Sequence, residues 1–181
     1  MKSDITNTTS LAFIGVGANL AGLGCATPRA TCEAAIKALV LAGVNIKSQS
    51  RWYKSEPVPA SDQPWYINGI ISTNSLIGAP ALFGILQDIE TKFGRIRTTK
   101  NEARTLDLDL IAYADMVTGW EYGTDSNLIL PHPRMNERGF VLLPLQEICP
   151  NWYHPVLNIS LDELIAKLDP SQQISLDDQT L

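Results

Sequence analysis

Apolar positions change period along the chain, and the changes mark the elements. Residues 11–20 (LAFIGVGANL) read as a first strand that runs into a Gly-rich turn. Thr27 then Pro28 make a helix start, an N-cap followed by proline at the first helical position. Cys32, Ala35, Ile36, Leu39 and Val40 repeat at helical spacing until Gly43 stops them. Residues 44–53 (VNIKSQSRWY) alternate as a strand, and 55–64 (SEPVPASDQP) hold too much proline for regular structure. A third strand over 65–74 places Tyr66, Asn68 and Ile70 on one face. After Pro80, Leu82, Ile85, Leu86, Ile89 and Phe93 form the stripe of a second helix, which Gly94 closes. Gln87 and Glu90, three apart, stand off that stripe.

The next segment, RTLDLDLIAY (104–113), alternates with period two. Leu106, Leu108 and Leu110 point to one side; Thr105, Asp107, Asp109 and Ile111 point to the other. The two carboxylates then share a face, roughly 6.5–7 Å apart at their α-carbons, and repel unless a cation or donors hold them. So apolar a strand is expected to be central in its sheet, where an acid pair without a counter-ion is costly.

The order β-α-β-β-α-β predicts a ferredoxin-like α/β (α+β) core, an antiparallel sheet flanked by helices, with a short C-terminal extension. After residue 114 the pattern loosens, and LILPHPRMNERGFVLLPL (128–145) mixes prolines with short strand-like runs. Ser160 and Glu163 form a capping box for a last helix at about 161–168. The expected organisation is a disordered arm over 1–10, one domain over 11–169 and a polar, mobile tail over 170–181.

Composition narrows the class. The 181 residues, 45% hydrophobic, suit one core, and no apolar run approaches a membrane span. The polar start lacks the apolar stretch of a signal peptide. Cys25, Cys32 and Cys149 are odd in number and without metal-ligand spacing, as expected of reduced thiols in a cytoplasmic protein. A monomer is the expected state.

Net charge is −5, which argues against a general nucleic-acid binder. Its distribution says more. Lys92, Arg95, Arg97, Lys100 and Arg104 against the single acid Glu102 give a local +4, so the rest of the chain carries −9. Most charge runs are solvated loops; this one leads straight into the aspartate strand. Guanidinium forks beside paired carboxylates suit a polyphosphate with its divalent metal, and magnesium favours one or two carboxylates plus substrate phosphates.

Other candidates are weaker alone. GVGANLAGLG (15–24) lacks both GxGxxG and a Walker lysine, so its glycines read as turn and close-packing positions. Tyr66 and Asn68, beside the proline loop, could form a pocket wall with a stacking ring and a hydrogen-bonding amide. His132 is held between Pro131 and Pro133, with Arg134 and Arg138 as a second basic patch.

Four segments occur in order: SDQPWYIN (61–68), IETKFGRIR (89–97), RTLDLDLIAY (104–113) and LPHPRMNERGFVLLPLQEICP (130–150). Together they resemble the 6-hydroxymethyl-7,8-dihydropterin pyrophosphokinase family over about residues 11–165. The resemblance implies ATP and two magnesium ions, and transfer of pyrophosphate from ATP to the pterin hydroxymethyl group with release of AMP, a step of folate biosynthesis. It implies Asp107 and Asp109 as magnesium ligands, and Gln87, Arg97, His132 and Arg138 as contacts to ATP, with Glu90 matching a family carboxylate nearby. Arg95 and Arg104, with Arg97, fall in the phosphate-side loop expected to assist the transfer. Ser55, Val58, Tyr66, Asn68 and Phe140 fall at pterin-pocket positions. One departure stands out: many members carry a tryptophan in the loop before RTxDLD, where this chain has TTKNEA (98–103). Trp65 is not assumed to replace it. An Asp-x-Asp nucleotide-sugar transferase that uses a divalent metal is the alternative enzyme class, and a non-catalytic metal- or nucleotide-binding module the third reading.

Overall fold

The computed structural model describes residues 10–95, 103–119 and 128–178. The chain runs β1 (Ser10–Ala18), α1 (Pro28–Leu41), β2 (Ile46–Gln49), β3 (Tyr53–Ser55), β4 (Tyr66–Ser75), α2 (Ala79–Lys92) and β5 (Asp107–Tyr113). A 3-10 turn (Met135–Glu137) leads to α3 (Gly139–Ile148), then β6 (Tyr153–His154), β7 (Ile159–Ser160), α4 (Leu161–Ala166) and β8 (Ile174–Leu176). The main sheet has the antiparallel order β5-β1-β4-β3-β8, with β2 also pairing β4. This is the ferredoxin-like arrangement, extended by one strand.

Helix ends follow the local chemistry. Thr27 Oγ1 accepts from Ala30 N–H at 3.1 Å with Pro28 next to it, and Gly43 and Gly94 follow α1 and α2 at φ of 89° and 85°. The Ser160–Glu163 capping box starts α4.

Alternation along the strands divides the interior in two. Ala12, Ile14, Val16, Ile67, Ile71, Leu106, Leu108 and Leu110 pack beneath α1 and α2 with Cys32, Leu39, Leu82 and Leu86. Phe13, Ile70 and Ile111 face the other way, onto Val141, Leu142 and Leu145 of α3 and Leu161 and Leu164 of α4. The sheet is thus covered on both faces.

Four expectations change. The 44–53 strand is two short strands, broken where Trp52 lies across Gly69, whose absent Cβ would sit 3.0 Å from the indole. The aspartate strand β5 ends the sheet rather than lying at its centre. It is apolar because helices cover both its faces. The strand-like runs after 135 are instead α3, which carries Pro144 within it. Val141, Leu142, Pro144 and Leu145 are buried at spacings of one, three and four. That stripe against the sheet outweighs the hydrogen bond lost at proline. Finally, the tail expected to be mobile is held over its described part, residues 170–178: Ile174–Leu176 pairs with β3, and Asp177 N–H bonds to Trp52 O at 2.9 Å, while 179–181 lie outside the described residues.

Leu142 is fully buried and Leu41 is 89% exposed. Leu142→Ala is expected to cost about 2–5 kcal/mol in urea unfolding, and Leu41→Ala to stay within about 0.5 kcal/mol. Equal effects would place the second core elsewhere.

Candidate active site

Register builds the site. Across β1, Gly17 pairs with Asp107 on one side and Asn68 on the other; Gly15 pairs with Asp109 and Ile70. Each row therefore has glycine in the middle strand. A Cβ at Gly17 would sit 3.0 Å from Asn68 Oδ1, and one at Gly15 3.3 Å from Ile111 Cδ1. These two glycines are strand residues, not turn residues, and they leave a trough in the sheet between the carboxylates and the amide. The β3–β4 proline loop and the start of α3 wall it into a cleft of about 270 Å³.

The cleft has an apolar half and a charged half. Ser55, Val58, Tyr66, Asn68 and Phe140 line the first. Asn68 Nδ2 donates to the buried Ser55 Oγ at 2.9 Å, which fixes the amide with Oδ1 over Gly17. Phe140 carries the Arg138 guanidinium 5.5 Å above its ring. Arg104, Asp107, Asp109, Arg134 and Arg138 line the second half.

Asp107 and Asp109 pair with three arginines, of which Arg104 and Arg138 line the cleft and Arg95 does not. Asp107 pairs with Arg104 through Oδ2 and with Arg95 Nη1 at 2.9 Å through Oδ1. Asp109 Oδ2 lies 3.5 Å from Arg138 Nη1. Desolvation, then the negative charge of Asp107, pushes the Asp109 carboxyl up to about 6, with the arginines opposing. Among the described residues no three His, Cys, Asp or Glu groups are clustered to hold a metal by themselves. Two hard carboxylates on one strand face do fit a magnesium ion that takes its other ligands from phosphate and water.

Several expected contacts do not line this cleft. Glu90 has a side chain only 3% exposed; its Oε1 accepts from Leu108 N–H at 2.7 Å and pairs with Arg95. In this conformation Glu90 does not line the cleft but holds Arg95 and β5 in place. Gln87 and His132 are also outside the lining. His132 N–H bonds to Ile111 O at 2.8 Å, and its Nδ1 accepts from Arg134 N–H at 3.2 Å. Burial, followed by Arg138 and Arg134, lowers its pKa to about 4, so the ring is neutral with its proton on Nε2. Arg97 lies outside the described residues, as do Asn101 and Glu102 of the loop without tryptophan. Trp65 is not in the cleft lining and lies under Lys54 Nζ at 5.6 Å.

One residue went unmarked in the sequence. Asn19 is 2% exposed; its Oδ1 accepts from Arg104 N–H at 2.6 Å, and its Nδ2 donates to Gln63 Oε1 at 3.2 Å and Pro64 O at 3.1 Å. It ties the proline loop to the basic segment. The available signal was alternation: Gly15, Gly17 and Asn19 continue the face opposite Ile14 and Val16.

The chain is similar to known proteins over most of its length. Residues 13–150 match the family model described as 7,8-dihydro-6-hydroxymethylpterin-pyrophosphokinase. The 2-amino-4-hydroxy-6-hydroxymethyldihydropteridine pyrophosphokinase of Synechocystis sp. is 38% identical over 158 residues, 87% of this chain and 76% of that protein. The Haemophilus influenzae protein of the same description is 34% identical over 166 residues, 91% of this chain and 97% of its own. The Schizosaccharomyces pombe folic acid synthesis protein fol1 is 36% identical over 134 residues, 74% of this chain but 18% of that protein. In fold, Plasmodium falciparum HPPK-DHPS aligns with a TM-score of 0.65 at 14% identity, over 89% of this chain and 42% of that one.

The raised Asp109 carboxyl sets a pH-dependence. The native state keeps this proton to higher pH than the unfolded chain, so Asp109 removes stability as pH rises from about 4 to 6. His132, with its lowered pKa, adds stability between about 4 and 6.5 and masks the loss in wild type. Asp109→Asn is therefore expected to match wild type below pH 4 in ligand-free urea unfolding and to exceed it increasingly up to pH 6. A constant difference across that range would contradict the charge assignment.

Proposed function

The chain belongs to the 7,8-dihydro-6-hydroxymethylpterin-pyrophosphokinase family, and we propose that it transfers pyrophosphate from ATP to the hydroxymethyl group of 6-hydroxymethyl-7,8-dihydropterin. The observation that carries this reading is the continuity of the cleft. A pocket lined by Val58, Tyr66 and Phe140, with the fixed Asn68 amide, opens directly onto paired carboxylates and arginines. A bicyclic pterin suits the first half and a triphosphate the second.

In the reaction the hydroxymethyl oxygen forms a bond to the β-phosphorus. The bond from that phosphorus to the oxygen bridging the α- and β-phosphates breaks, and AMP leaves with its electron pair. The hydroxyl proton passes to water. Such transfers depend mainly on positioning and on neutralising phosphate charge. Asn68, fixed by Ser55, orients the pterin edge above Gly17, and Tyr66 and Phe140 hold its faces. Arg95, Arg104 and Arg138, each paired with an aspartate in the ligand-free protein, turn their donors to phosphate oxygens when nucleotide enters. Asp107 and Asp109 would hold magnesium, which would supply the charge that screens the triphosphate. His132 is rigidly held near the same basic patch, with its Nε2 proton available to a phosphate oxygen. Gln87 and Arg97 complete the ATP side on the family resemblance. Among the described residues no helix is long and apolar enough to cross a membrane.

Incubation with ATP, magnesium and the reduced hydroxymethylpterin is expected to release AMP and the pterin diphosphate. ADP alone, or no turnover, would overturn the reading. Asp107→Ala and Asp109→Ala are each expected to lower kcat by at least about 100-fold with an unchanged far-ultraviolet circular dichroism spectrum. Asn68→Ala is expected to raise the pterin Kd about tenfold or more, in line with an unpaired buried polar group; an unchanged Kd would displace the pterin from this pocket.

A further inference from the structure

Beyond residue 150, where the family-model match ends, the chain returns to the cleft from outside. Gln172 reaches the backbone on both sides of Arg138. Its Oε1 accepts from Gly139 N–H at 2.9 Å, and its Nε2 donates to Glu137 O at 3.0 Å. The next residue grips the opposite wall, Gln173 O accepting from Glu56 N–H at 3.1 Å. β8 follows at once, paired with β3, whose Ser55 fixes Asn68.

The start of α3 needs this support. Arg138 is its N-cap residue, with extended backbone and no side-chain cap hydrogen bond. The Gly139 N–H would otherwise be one of the unpaired donors of a helix end. The tail also packs closely here, since a Cβ at Gly139 would meet the tip of the Ile174 side chain. Arg138 itself reaches Asp109 and lies over Phe140, so its peptide unit sets groups in both halves of the cleft.

We propose that Gln172 is a positioning residue for pyrophosphoryl transfer, clamping the Glu137–Gly139 backbone so that Arg138 faces Asp109 and the incoming phosphates. This rests on the function proposed above. Gln172 touches no substrate; it acts through Arg138. The tail becomes part of the active-site frame, with adjacent glutamines holding the two walls at a set distance.

The test compares wild type, Gln172→Leu, Arg138→Ala and the double variant by amide exchange, magnesium-ATP binding and steady-state kinetics. In Gln172→Leu the Gly139 amide is expected to exchange at least about tenfold faster, while β1 and β4 amides do not change. kcat/KM for ATP is expected to fall roughly five- to tenfold, consistent with two modest hydrogen bonds, and the pterin Kd to move less than about twofold. In the Arg138→Ala background the same substitution is expected to have almost no effect, since the two act as a unit. An unchanged Gly139 amide would overturn the proposal, and so would a full loss that persists without Arg138, which is what a purely structural role predicts. If wild type releases no AMP, the functional reading fails separately. The magnesium-ATP Kd across the same four proteins, with Gly139 exchange, then decides the role of Gln172.

Discussion

Backbone pairing of β1 with both neighbours sets Asp107, Gly17 and Asn68 in one row across the sheet, and Asp109, Gly15 and Ile70 in the next. The rest of the cleft depends on that register. Strands lie about 4.8 Å apart, so the outer residues of a row are roughly 10 Å apart with a glycine between them. A slip of one residue would send both carboxylates into the core beneath α1 and α2 and bring leucines to the cleft. The apolar faces on both sides of the sheet oppose such a slip, because it would expose one core while burying charge in the other. Here the interaction that holds the fold together also sets the chemistry.

Within this frame the charges are arranged to be exchanged. Arg95, Arg104 and Arg138 come from three segments and converge on two aspartates. Half-buried ion pairs of this kind recover little beyond their desolvation cost. Burial, and then the charge of Asp107, holds the Asp109 carboxyl above its usual range despite the arginines. On the proposed function, a triphosphate with a divalent cation would answer both halves at once: its oxygens would take the guanidinium groups, and the cation the carboxylates.

Side-chain amides then join what the sheet alone does not. Asn68 is fixed through Ser55, Asn19 links the proline loop to the Arg104 backbone, and Gln172 grips the chain around Arg138. Each bonds groups distant in sequence. An amide carries both donor and acceptor without net charge, so it can hold backbone beside a charged cleft without disturbing the balance there.

Much was legible in the sequence because it is local. Period-two alternation put Asp107 and Asp109 on one face and Tyr66, Asn68 and Ile70 on another, since strand side chains cannot do otherwise. Thr27, Gly43, Gly94 and the Ser160–Glu163 pair marked helix ends through their own backbone preferences. What the tertiary structure decided is non-local. α3 is a helix despite Pro144 because the sheet offers its apolar stripe a partner, and β5 is apolar on an edge because helices cover it. Glu90 turns inward because Arg95 and the Leu108 amide are there to meet it. The polar tail becomes a strand because β3 offers an open edge. No local rule encodes the partner across the sheet, so Asn19 and Gln172 looked ordinary until the fold brought their partners within reach.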